Sequence, residues 1–158
     1  MAVVNTSQGV GGILNSFRGL VEGAQKITFV GTPGFCTPFA ELLGFAVRDK
    51  ELAFISSLDF EKARSIFMDY EGMQLGELTD VHADVVVLLG GLSMPKIGIS
   101  PEKAKEVSRK VIEGSKKGKI IGVCFQSAFM KQKWDERIDF DYIINSDIEV
   151  EVLEPEFL

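Results

Sequence analysis

The chain has 158 residues, 46% hydrophobic and 25% charged, with a formal net charge of −6. That length suits one domain able to bury about two-thirds of its unfolded surface without disulfides or a structural metal, and the acidic balance argues against nucleic acid, whose phosphates need clustered Lys and Arg. No apolar run approaches the ~20 residues of a membrane span and no basic leader opens the chain, so no membrane partner and a cytoplasmic setting are expected. With no Gly/Ser-rich linker to divide it, the sequence reads as a single α/β domain over 1–158, an N-terminal helix within 1–22 and a core over 24–153. Its two cysteines, Cys36 and Cys124, lie in no CxxC or Cys/His ligand spacing. They read as free thiols, and no metal site is expected.

Ile13, Leu14, Phe17, Leu20 and Val21 recur at helical spacing and predict an amphipathic helix from about Gly12 to Val21. Such a helix either covers the sheet or packs on a second subunit, so a homodimer is left open. Lys26 to Gly31 reads as a strand, followed by the loop Thr32-Pro33-Gly34 and a helix starting near Pro38. Leu52 to Ser56 is a second strand. Ser57 or Asp59 is placed to cap a helix carrying Ala63, Ile66 and Phe67 inward, and Tyr70 to Thr79 reads as a loop or weak edge element.

The segment from Asp84 to Gly91, with its unbroken apolar run Val85 to Leu89, predicts a strand buried on both faces at the centre of a parallel sheet. Ser100-Pro101-Glu102 then supplies an N-cap, a first-turn proline and a favourable acid for a helix closed by Lys116, Lys117 and Gly118. Its Lys103, Lys105, Arg109 and Lys110 interleave with Glu102, Glu106 and Glu113 as a solvated charged face. A strand from Lys119 to Val123, a helix from about Phe125 to Lys133 and a strand at Tyr142 to Asn145 follow. Ile148 to Val152 alternates apolar with acidic residues, the pattern of a half-exposed edge that resists pairing.

This alternation predicts a three-layer α/β sandwich with an open, mainly parallel five-stranded sheet in the flavodoxin-like order 2-1-3-4-5, with the extra helix at the N-terminus. Ligands of such sheets bind beyond the carboxyl ends of the strands, near the switch point. The loops that meet there carry Thr32, Gly34 and Thr37, then Gly91 and Ser93, then Cys124, Gln126 and Ser127. Glycines admit close approach and helix starts offer N–H groups, so a small anionic ligand is expected.

Thr32, Gly34 and Thr37 resemble the phosphate loop of flavodoxins, which implies FMN as an alternative ligand; otherwise no cofactor is expected. Gly122-Val123-Cys124-Phe125 is similar to the cysteine turn of class I glutamine amidotransferases, although Gln126 stands where that family has glycine and no His-x-Glu follows. That resemblance implies a cysteine-dependent enzyme or redox-active thiol centred on Cys124. Its thiolate would be favoured by a helix start, and the base would be Glu41, the position to which a resemblance to DJ-1-like proteins points. The one histidine, His82, precedes the central strand and is expected about 15 to 20 Å away, at ~3.3 Å per strand residue. The combination Gly31-Thr32-Pro33-Gly34-Phe35-Cys36, Leu89 to Pro95 and Gly122 to Gln126 resembles a family of small methanogen proteins of unknown function. The leading expectation is therefore a noncatalytic binding protein.

Overall fold

The structure is a computed structural model that describes residues 1–156. Its elements run α1 (Gly9–Leu20), β1 (Lys26–Gly31), α2 (Thr37–Ala46), β2 (Glu51–Ser56), β3 (Arg64–Asp69), β4 (Gly72–Leu78), β5 (Val85–Leu89), α3 (Pro101–Ile112), β6 (Lys119–Phe125), α4 (Ala128–Lys131) and β7 (Tyr142–Ser146). The strands form one seven-stranded sheet in the order β4-β3-β2-β1-β5-β6-β7. From β2 across to β7 the neighbours are parallel. β3 joins β2 and β4 joins β3 antiparallel.

The sheet is thus larger than the five strands expected, because a hairpin stands where the sequence suggested a helix and a loop. Asp59 does act as a cap, accepting the Glu61 N–H, but of a single 3-10 turn at Phe60–Lys62. Ile66 is buried while Phe67 is exposed, the alternation of a strand face and not of a helix stripe. The turn is two residues long. Asp69 pairs with Gly72, whose φ of +116° only glycine tolerates easily, and the Asp69 side chain takes the Glu71 N–H at 2.8 Å.

Strand alternation divides the core into two layers. Phe29 of β1, Val87 of β5 and Val123 of β6 meet Phe17 and Val21 beside α2's Ala40 and Leu43 on one face. Val30, Val86, Leu88, Ile120 and Cys124 meet α3's Ala104, Val107 and Val111 and the Phe129–Trp134 pair on the other. β5 is buried at every position, as its apolar run predicted. Each such side chain contributes about 1.5–3 kcal/mol by leaving water. The apolar stripe of α1 is spent inside the domain, with the Phe17 ring 5.8 Å from that of Phe29 and the Arg18 guanidinium donating to the Ala46 carbonyl.

Ser100 caps α3 as expected, accepting the Lys103 N–H, but the helix stops at Ile112, ahead of the left-handed Gly114. Two further expectations are corrected. β6 runs on through Phe125, and Gln126 and Ser127 both adopt positive φ (53° and 58°), so no helix begins at Phe125 and α4 is a single turn. Residues 148–152 are not a strand of this sheet: they are extended in sequence pattern but pair with no strand among the described residues. Among the described residues no helix is long and apolar enough to cross a membrane.

Candidate functional site at the carboxyl edge of the sheet

The first loop is drawn tightly onto itself. Three of its N–H groups are spent internally, Gly34 on the Thr37 hydroxyl (3.3 Å), Phe35 on the Pro33 carbonyl and Cys36 on that of Thr32. Phe39 and Ala40 both donate to the Cys36 carbonyl, and Pro38 has no N–H. Thr32 is buried with its hydroxyl 3.2 Å from the Cys36 sulfur. Most of the donors that would cradle an anion at the start of α2 are therefore engaged, the Thr37 N–H excepted.

The first and second loops touch through Gly91. A Cβ there would lie 2.6 Å from Cys36 Sγ, 3.2 Å from Thr32 Oγ1 and 3.3 Å from the Phe35 ring, so the glycine is what lets the two loops close. Gly90 plays the same part toward β6, since its Cβ would stand 2.6 Å from that of Cys124. Ser93 is buried and its hydroxyl donates to the Gly90 carbonyl at 2.8 Å, which makes it a brace of the turn. Above these contacts lies a row of aromatic rings, Phe35 to Phe39 at 5.9 Å and Phe39 to Phe125 at 4.9 Å. Phe35 is 63% exposed, and Met94 is exposed nearby in sequence to the second loop.

The third loop leans the other way, toward β7. Gln126 donates its N–H to the Ser146 carbonyl, and Ser127 donates its own to Asn145 Oδ1 at 2.8 Å. These bonds offset the cost of two consecutive left-handed residues without glycine.

Cys124 lies within β6, opposite Asn145, and is 1% exposed. Its thiol reaches Asn145 Oδ1 at 3.5 Å. Burial pushes the thiol pKa up; the N–H groups of Phe129 and Ala128, aimed at the sulfur from α4, work against that rise, and the nearby Asp147 carboxylate adds to it. The thiol is buried within the strand, and no sharp strand-to-helix turn presents it to solvent. The proposed base, Glu41, does not reach it. Glu41 belongs to α2, which packs on the opposite face of the sheet from Cys124. His82 is exposed, bonds Asp80 at 2.8 Å and sits edge-on to Phe60.

The structure brings together Thr32, Gly34, Thr37 and Gly91, leaves Ser93 buried, and draws Gln126 and Ser127 away toward β7. Asn145 and the aromatic row were missed from sequence; the signal for the latter was Phe35 in the glycine loop and Phe125 directly after the cysteine. Trp134, the only tryptophan, is buried against Phe129 and faces no loop that would hold a flavin ring. Two shallow depressions lie elsewhere. One of about 700 Å³ is on the β3–β4 hairpin between Arg64, Phe67, Gly76 and Leu78. The other runs along the charged outer face of α3, where Lys105 and Arg109 hold Asp139. Among the described residues no three His, Cys, Asp or Glu side chains gather to hold a metal.

Residues 8–149 match the profile of a family described as an uncharacterized protein conserved in archaea, DUF2124. An uncharacterized protein of Methanothermobacter thermautotrophicus is 45% identical over 140 residues, which is 89% of this chain and 90% of that one. An uncharacterized protein of Methanocaldococcus jannaschii is 41% identical over 155 residues, 96% of this chain and 94% of its own. The fold is similar to a crystal structure of a protein of unknown function from Methanothermobacter thermautotrophicus, with a TM-score of 0.91 at 41% identity over 98% of this chain and 99% of that one.

Proposed function

The chain belongs to the DUF2124 family of uncharacterized archaeal proteins, and we propose that it is a noncatalytic binding protein that takes a small, flat molecule at the flavodoxin-like position between β1 and β5. The observation that carries this reading is the Phe35 ring, 63% exposed at the point where the first loop closes on Gly91. Such a ring offers an apolar and stackable surface. Because most of the loop's N–H groups are engaged, a negative charge on the ligand adds little, which departs from the anionic ligand the sequence suggested. Burial of Cys124 supports binding over cysteine chemistry, since the nucleophile is the exposed thiolate. Two free buried thiols suit a reducing, cytoplasmic setting.

Titration of the isotope-labelled protein with riboflavin, FMN and inorganic phosphate, followed by amide NMR, tests the reading. Both ring-bearing probes should shift Gly34, Phe35, Gly91 and Met94 to similar extents, and Phe35→Ala should weaken this about fivefold or more, the loss of about 1 kcal/mol of stacking. Shifts by phosphate alone would restore the anion reading. Shifts confined to the hairpin, or none with either ring, would refute the site.

A further inference from the structure

Residues 147–156 leave the domain without joining it. None of them makes a backbone–backbone hydrogen bond among the described residues, and the one tie is the Ile148 N–H on the Gln126 side chain. Yet Ile148, Val150 and Val152 are 54%, 78% and 95% exposed. These three continue, at a period of two, the row Tyr142, Ile144, Ser146 of β7, while Asp147, Glu149 and Glu151 continue the row of Asn145. Ile144 packs on the core layer that α1 covers, so the apolar row of the arm belongs to the same side. β7 ends the sheet, its outer edge is unpaired among the described residues, and Tyr142-Ile143-Ile144-Asn145-Ser146 contains no proline or lysine to block pairing. The arm is no appendage peculiar to this chain, since the match to the solved methanogen protein spans 98% of it.

We propose that the arm is a strand completed by a second copy of this chain, pairing antiparallel with the partner's β7 about a two-fold axis near Asp147. An unpaired strand edge and an unpaired segment of strand-like pattern, adjacent in one sequence, satisfy each other when two copies meet. In this register Tyr142 faces Val152, Ile144 faces Val150 and Ser146 faces Ile148. Asn145 faces Glu149 and Ile143 faces Glu151, so acid meets acid only at the axis. A register centred on Glu149 would set Asp147 against Glu151 as well as Glu149 against itself, and like charges directly opposite destabilise. The two sheets would then run on as one.

The full-length protein should sediment with the mass of two chains, and the double variant Val150→Asp, Val152→Asp with the mass of one, while still unfolding cooperatively as a folded domain. Asp147→Cys should give a disulfide-linked dimer on mild oxidation, since the two Cβ atoms would lie within bridging distance, whereas Glu154→Cys should not. A monomeric wild type, a dimer that survives the double substitution, or equal cross-linking at both positions would overturn the proposal. If the double variant proves unstable, the cross-linking pair decides alone.

Discussion

Gly91 offers the sharpest test of how the first two loops close. An alanine there would put its Cβ 2.6 Å from Cys36 Sγ, about 1 Å inside an ordinary contact of ~3.5–4 Å. Cys36 has no room to retreat: it is 1% exposed, and its own Cβ sits against the Cα of Gly31, where an added Cβ would come within 2.4 Å. Overlap of this kind in a packed site costs about 1–3 kcal/mol, and at roughly 2–4 °C per kcal/mol for a domain near this size the melt should fall by several degrees. Cys36→Ala alone removes one sulfur from the core, at about 1 kcal/mol. In the double variant the worst contact disappears and only the tighter approaches to Thr32 Oγ1 (3.2 Å) and Phe35 (3.3 Å) remain. The two changes should therefore be less damaging together than their sum by about 1–2 kcal/mol, measured by urea denaturation of all four proteins. Additivity within about 0.5 kcal/mol, or a neutral Gly91→Ala, would show that the loops do not close on this glycine.

Iodoacetamide should modify Cys124 much more slowly in the native protein than in the denatured chain, as peptide mapping would show; comparable rates would return the thiol to candidacy as a nucleophile. Because burial holds the folded thiol above its ordinary value of 9.0, the folded state keeps that proton longer. Stability should be unaffected below pH 9 and fall as pH rises from there toward the folded value, and Cys124→Ala should remove that part of the decline in paired melts. Asn145→Ala deprives Ser127 of its N–H acceptor and Cys124 of its partner, so a loss of about 1 kcal/mol is expected by denaturant unfolding. Lys133 is exposed at φ 59°, and Lys133→Gly should stabilise the protein by up to about 1 kcal/mol in the same assay.

The α/β class, the central β5, the capped α3 and the loops at the carboxyl edge were legible in the chain because each is a local pattern. Ser100-Pro101 caps whatever helix follows it, and five apolar residues in a row belong between two layers wherever the sheet is placed. The hairpin of β3 and β4 was obscured by Ile66 and Phe67, adjacent apolar residues that a helix stripe also allows; only pairing with β2 sends one inward and the other out.

Cys124 shows where sequence reasoning stops. Its neighbours in the chain resemble a cysteine turn, but its accessibility depends on Asn145, 21 residues on, and on the α4 N–H groups folded over the sulfur. The same holds for Thr32 and Cys36 of the first loop, which close on Gly91 of the second. Composition and periodicity report which residues prefer burial and which backbone they favour, both properties of a few adjacent positions. Which face of the sheet a group occupies, and whether its hydrogen bonds are already spent, are properties of distant segments brought into contact, and these the tertiary structure decided.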